Sequence, residues 1–328
     1  MAGGVSSDRP ENADAANDER RSTPTGSERR GSLGAYAQLV RLPNLFTAPP
    51  DVILGAALVA VAGSDPSPIA VAGVALASVL LYAGGTTLND AFDAPIDARE
   101  RPERPIPAGH VSRPAAFGFG FGLLAVAVGV AFVAAAGPGA IAAGLVAAAV
   151  VAYDGLLKGT AAGFLAMGAT RGLNVLLGTT AAGSAVLAAP ARVLAVSAVV
   201  TAYIATVTFM ADSETEGGNR GAVAAAGGGA AVAVLAVGWY LVALEPPPLE
   251  TGVAIGFAAA FCWWVGRPLR TASADPVSST VGPAVGACVL GLVLLDTAFA
   301  AAAGVRWAAA VAVFLVPAVG LSRVFDVT

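Results

Sequence analysis

From about Leu42 onward the chain reads as a succession of continuously apolar runs, each about 20 residues long and rich in Ala, Leu and Val. That is the length an α-helix needs to cross a hydrocarbon core about 30 Å thick. The pattern predicts ten spans, near 43–63, 68–91, 113–135, 138–157, 161–183, 190–211, 221–244, 249–266, 280–301 and 305–323. The separators are turn-like: Gly63-Ser64-Asp65-Pro66, Gly137-Pro138-Gly139 and Glu245-Pro246-Pro247-Pro248. The two-residue alternation of a membrane β-barrel is absent. Small residues let helix backbones approach closely, as bundles in lipid require, so the expected architecture is an all-α, polytopic membrane helix bundle. Residues 1–34 carry Ser, Gly, Asp, Glu, Arg and Asn with almost no bulky apolar side chain. Such a segment cannot bury enough surface to offset its ordering entropy, and it is expected to be a disordered cytoplasmic tail ahead of a membrane domain over 35–328. No apolar stretch follows its basic residues as in a cleavable signal peptide.

Composition sharpens this picture. Of the 328 residues 56% are hydrophobic and 12% charged, with mean hydropathy +0.75, about half the charge of a soluble domain. One Lys, one His (His110) and two Cys (Cys262, Cys288) exclude zinc fingers, disulfide frameworks and iron–sulfur sites. Ser-His-Asp chemistry would rest on His110 alone. The net charge of −4, with no basic cluster interleaved with aromatics, argues against a nucleic-acid partner. With the N-terminus inside, 15 of the 18 basic residues fall in inward segments and only Arg192 and Arg306 outside. That bias matches the positive-inside rule and predicts both termini on the cytoplasmic side.

Two acidic clusters stand out, because an acidic side chain at a helix centre costs about 2.5–3.5 kcal/mol on insertion scales. The first is Asn89-Asp90-Ala91-Phe92-Asp93-Ala94-Pro95-Ile96-Asp97, at the inward end of the second span. Its three aspartates, at i, i+3 and i+7, share one helical face, with Pro95 a candidate bend. The second, Asp212-Ser213-Glu214-Thr215-Glu216-Gly217-Gly218, closes the sixth span on the same side and sets Asp212 and Glu216 four residues apart. Oxygen-only ligand sets suit Mg²⁺ or Ca²⁺ rather than zinc. Two such sets facing each other describe a clamp for a diphosphate. Between them, Arg101-Pro102-Glu103-Arg104-Pro105 is expected to adopt polyproline II, pointing Arg101 and Arg104 the same way. Lys158 has two readings, a pair with Asp154 at i, i+4 or a phosphate ligand. Arg171 and Asn174 lie inside the fifth span, and either bind substrate or hold helices together. Asn44 and Asp51 share a face of the first, with structural and acceptor-binding roles both open. Asp296, deep in a late span, has no partner evident from the sequence.

At these residues the chain resembles the UbiA superfamily of intramembrane prenyltransferases. Asn89, Asp90, Asp93 and Asp97 match that family's N-D-x-x-D-x-x-x-D motif, and Arg101 to Gly109 match its Arg-Pro-x-Arg-Pro-Ile-Pro-x-Gly continuation. The second motif, usually D-x-x-x-D, is met by Asp212 with Glu216 in the place of an Asp. Glu214 also fits a common variant, and this departure looks more like a divergent bacterial branch, the EboC-like proteins. Looser matches are Arg41 and Asn44, Tyr153 and Lys158, and Arg171 with Asn174.

The resemblance implies a bundle of nine to ten transmembrane helices that moves an isoprenyl chain from a polyprenyl diphosphate to a lipophilic acceptor, aromatic or polyol, within the cell membrane. It also implies Mg²⁺ held by Asp90, Asp93, Asp97, Asp212 and Glu216. Substrate would be bound by Asn89, Arg101, Arg104, Lys158, Arg171, Asn174, Tyr153, Asn44 and Arg220. A terpene cyclase on the same scaffold remains an alternative, as does a secondary transporter. A transporter would set its acids near the bilayer midplane, whereas these sit at helix ends.

Overall fold

Uninterrupted runs of Ala, Leu and Val leave helix as the only way to satisfy the backbone without water, and each apolar segment of the sequence folds as helix. The computed structural model describes Met1 and residues 34–183, 191–212 and 219–322. The expected tail over 1–34 lies almost wholly outside the described residues. A short helix at 34–39 leads, through Arg41 in the left-handed region (φ 48°), into a 3₁₀ turn, Leu42–Thr47. There follow α1 (Pro49–Val61), α2 (Pro68–Glu100), α3 (Arg113–Ala152) with a π-helical turn at Tyr153–Leu157, and α4 (Ala161–Thr179). Beyond residue 190 come α5 (Ala191–Asp212), α6 (Arg220–Leu244), α7 (Pro248–Ala274), α8 (Ser278–Ala301), α9 (Val305–Ala312) and α10 (Leu315–Ser322). Among the described residues, seven helices are long and apolar enough to cross a membrane.

One of these seven holds two of the expected spans. The stretch Arg113–Leu157 breaks at Ala135 and Ala136, where φ/ψ of −140/20 and 52/−145 leave the helical region. A Cβ on Gly139 would overlap the carbonyl of Ala131, eight residues back. In a continuous helix those residues would stand about 12 Å apart, so α3 is two limbs folded on one another, divided close to the expected Gly137-Pro138-Gly139 separator. The 19-residue α4, whose middle carries Arg171 and Asn174, is not among the seven.

The last expected span, 305–323, is not one continuous helix. It divides at Val313 and Phe314 into two eight-residue helices. Pro317 lacks the N–H that would bond the carbonyl of Val313, and its ring crowds that carbonyl. α9 packs on α1 and α8, and α10 packs on the Leu42–Thr47 turn.

Small residues set the crossings that position the polar groups. A Cβ on Gly55 would overlap the carbonyl oxygen of Val175, and one on Gly178 that of Val52. The backbones of α1 and α4 therefore touch directly, which brings the start of α1 against the middle of α4. A core of large buried side chains, including Tyr203, Tyr240, Phe261 and Phe299, fills the space among α5 to α8.

Candidate active site

The first acidic cluster lies on α2, which continues through Pro95 to Glu100 without a break. Proline removes one N–H from a helix and leaves the carbonyl four residues earlier without its donor. Here that carbonyl belongs to Ala91, and Arg113 Nε donates to it at 2.8 Å. With the register preserved, Asp90, Asp93 and Asp97 stay on one face. Asp90 and Asp97 are buried, and Asp93 is partly so.

Each aspartate meets a cation from another segment. Arg41 Nη2 donates to Asp90 Oδ1 at 3.0 Å. Arg104 Nη1 lies 3.4 Å from the same oxygen and 2.9 Å from Asp97 Oδ2. Lys158 Nζ pairs with Asp93. Lys158 thus does not pair with Asp154: the π turn carries it across to α2, and Asp154 accepts from Asn89 Nδ2 at 2.8 Å. Tyr153, in the same turn, is buried.

The segment after α2 is a chain of turns and not polyproline II. Arg104 N bonds Arg101 O at 3.1 Å and Ala108 N bonds Arg104 O at 2.9 Å. The turn folds Arg104 back over the aspartates and leaves Arg101 exposed, so the two guanidiniums do not point together. Arg220 is exposed at the start of α6, where Asn219 Oδ1 caps the N–H groups of Gly221 and Ala222. Glu214 and Glu216 lie outside the described residues. Of the second cluster, only Asp212 is placed.

Arg171 and Asn174 face α1, away from these aspartates. Arg171 Nη2 donates to the carbonyl of Thr47, and its Nε is 3.1 Å from Asp51 Oδ2. Asn174 Nδ2 donates to Ala48 O at 2.9 Å and Asp51 Oδ2 at 3.0 Å. Asn44 sits in the turn that these bonds hold, its carbonyl accepting from Thr47 Oγ1. An apolar groove of about 1060 Å³, lined by Ile69, Gly73, Val126 and Val133 among others, opens at the opposite end of α2. Helical rise puts it about 30 Å from Asp90, and it takes no part in this polar site.

Sequence reading alone gave Asp154 no role at the site and Arg113 none at all. Asp154 was legible only as a neighbour of Lys158, and Arg113 only as an inward charge.

Among the described residues no three acidic, His or Cys side chains form a ready-made metal cage. The donor chemistry nonetheless fits Mg²⁺. Asp90 Oδ1 and Asp97 Oδ2 converge on one positive group, Arg104 Nη1. Mg²⁺ is typically held by one or two carboxylates, completing its shell with water and substrate phosphate.

Residues 52–281 match the UbiA prenyltransferase family. The chain is 45% identical to a digeranylgeranylglyceryl phosphate synthase of Ignicoccus hospitalis over 84 residues, 26% of each protein. It is 41% identical to the synthase of the same name from Methanopyrus kandleri over 80 residues, 24% of this chain and 28% of that one. The matched stretch thus spans about a quarter of these relatives' length. In structure, a UbiA homolog from Aeropyrum pernix matches 77% of this chain and 96% of its own at TM-score 0.61 and 20% identity. A structure from a study of digeranylgeranylglyceryl phosphate synthase in membranes matches 83% of this chain and 98% of its own, at TM-score 0.56 and 20% identity. At that identity the likeness is one of fold.

Proposed function

The chain belongs to the UbiA prenyltransferase family, and from that premise we propose that it transfers an isoprenyl group from a polyprenyl diphosphate to a lipophilic acceptor within the bilayer. The observation that carries the reading is the gathering of three aspartates of α2 with Arg41, Arg104 and Lys158 at one end of the bundle. Alternating anions and cations at a helix-bundle mouth suit a ligand that is itself a polyanion bridged by metal. The excess of basic residues on that side supports a cytoplasmic site and a cytoplasmic N-terminus.

In this reading Asp90, Asp93 and Asp97 would hold Mg²⁺, joined by Asp212 and, on the family motif, Glu216. Bound there, Mg²⁺ would neutralise the diphosphate and make it a better leaving group. Arg41, Arg104 and Lys158, which pair with the aspartates in the described structure, turn their donors to phosphate oxygens when the diphosphate enters. Arg104 offers bidentate recognition. Tyr153 and Asn89 line the same mouth and orient the diphosphate end. Arg101 and Arg220, exposed at its rim, attract the anion on approach. The C1–O bond of the prenyl diphosphate breaks with its electron pair leaving on the diphosphate. The acceptor forms the new bond to C1 and loses its proton, and the apolar helix faces keep water from the allylic cation.

An enzyme named as those relatives are makes a glyceryl phosphate carrying two geranylgeranyl groups, so the singly substituted glyceryl phosphate is the acceptor to test first. Membranes containing the protein would be incubated with labelled geranylgeranyl diphosphate, Mg²⁺ and either that acceptor or a lipid extract. The expected result is a labelled lipid formed only when acceptor is present. A labelled hydrocarbon released without acceptor would favour the cyclase reading instead, and no Mg²⁺-dependent consumption of any prenyl diphosphate would overturn the proposal.

A further inference from the structure

A second polar cluster lies deeper in the bundle, and the reaction described above makes no use of its acids. Asp51 and Asp296 are both fully buried, at 0% exposure, on α1 and α8, and the two carboxyl groups lie within hydrogen-bonding reach of one another. Asp51 Oδ2 accepts from Arg171 Nε and Asn174 Nδ2. Asp51 Oδ1 and both oxygens of Asp296 have no donor among the described residues. Arg171 is the cation beside both acids.

Charge arithmetic then constrains the cluster. Two carboxylates and one guanidinium leave one uncompensated negative charge, sealed from water inside a bilayer. An isolated buried charge is far costlier than a neutral acid, and two touching carboxylates do not both ionise. One added proton makes the cluster neutral and also supplies the missing donor between the acids.

The same cluster reaches the first site through the backbone. Arg171 and Asn174 donate to the carbonyls of Thr47 and Ala48, which end the turn that begins after Arg41. Arg41 in turn contacts Asp90.

We propose that Asp51 and Asp296 share a single proton, forming a neutral acid pair that, with Arg171 and Asn174, holds the Leu42–Thr47 turn so that Arg41 meets Asp90. Asp51 and Asp296 are positioning residues in this scheme. The shared proton stands independently of any function, whereas the positioning role rests on the diphosphate reading above.

Infrared difference spectra of the purified full chain test the first half. The wild type should show the carbonyl stretch of a protonated, unhydrated carboxylic acid. Asp296→Asn and Asp51→Asn should each abolish it, because the one remaining carboxyl then balances Arg171 and ionises. A wild type without that band, or a band surviving in either variant, overturns the shared proton.

Kinetics test the second half. Asp296→Asn keeps an N–H donor for Asp51 and should hold the diphosphate KM within about twofold of wild type, whereas Asp296→Val should raise it about fivefold or more with the acceptor KM unchanged. Asn174→Ala provides the same reading if the Val variant fails to purify. Equal diphosphate KM values across these variants overturn the positioning role. If the wild type turns over no prenyl diphosphate at all, the functional reading fails while the infrared result stands.

Discussion

Asn89 and Asp154, 65 residues apart, are joined by a 2.8 Å hydrogen bond from Asn89 Nδ2 to Asp154 Oδ1. Four residues further along both segments, Asp93 and Lys158 form a second contact. Asn89 and Asp93 share a face of α2, and the π turn at Tyr153–Leu157 aims Asp154 and Lys158 at that face. The two pairs are successive rungs between α2 and the end of α3. One rung uses a neutral amide and an acid, the other an acid and a cation.

If the first rung sets where the turn docks, its two ends act as a unit. Asn89→Ala and Asp154→Ala should each lower kcat/KM for the diphosphate about tenfold, and the double variant should be no worse than the poorer single one. Losses that simply multiply would mean that the two residues act independently.

The aspartates themselves should be indispensable. Asp90→Ala and Asp93→Ala are expected to abolish Mg²⁺-dependent turnover while the protein still inserts and purifies, and chelation with EDTA should silence the wild type reversibly. Turnover above about a tenth of wild type corresponds to a barrier change of only ~1.4 kcal/mol and would count against a metal-ligand role.

The two arginines of the loop after α2 should separate. Arg104 touches both Asp90 and Asp97, whereas Arg101 is exposed. Arg104→Ala is therefore expected to raise the diphosphate KM at least tenfold, and Arg101→Ala by no more than about threefold, with the latter effect fading at high salt as for a screened surface charge. Equal effects at both positions would restore the expectation that they point together.

This contrast marks what could be read from sequence. The spacing of Asp90, Asp93 and Asp97 fixed their common face because a helix repeats every 3.6 residues whatever surrounds it. The long apolar runs marked the helices for a similar reason: in lipid the backbone has little alternative. The turns of the Arg101–Ala108 segment were missed because proline content favours polyproline II locally, while Arg104 gains two buried carboxylates by folding back. Lys158 has a sequence neighbour of opposite charge, Asp154, yet the π turn delivers it to Asp93 on another helix. Asp296 could not be explained from sequence at all, since its partner Asp51 lies near the other end of the chain. The metal role of Glu216 stays where the sequence left it, on the family motif, since that residue lies outside the described structure.

The contact between Arg113 and Ala91 gives the sharpest structural test, because its cause is a single missing hydrogen. Pro95 deprives the Ala91 carbonyl of its helical donor, and Arg113 Nε replaces that donor at 2.8 Å. Removing Arg113 leaves a carbonyl next to two site aspartates without a partner, at a cost of about 1–3 kcal/mol. Arg113→Ala should therefore lower the melting temperature in detergent and depress turnover through α2. Pro95→Ala returns a backbone N–H to the same carbonyl. In a Pro95→Ala background the Arg113→Ala substitution should then lose most of its effect on stability. Arg113 also lies over the ring of Phe117, so a small residual loss from that contact is expected in both backgrounds. The decisive quantity is the difference between the two losses. If Arg113→Ala costs the same stability with proline or alanine at position 95, its role is surface charge or ring packing, and the Ala91 carbonyl is not what it serves.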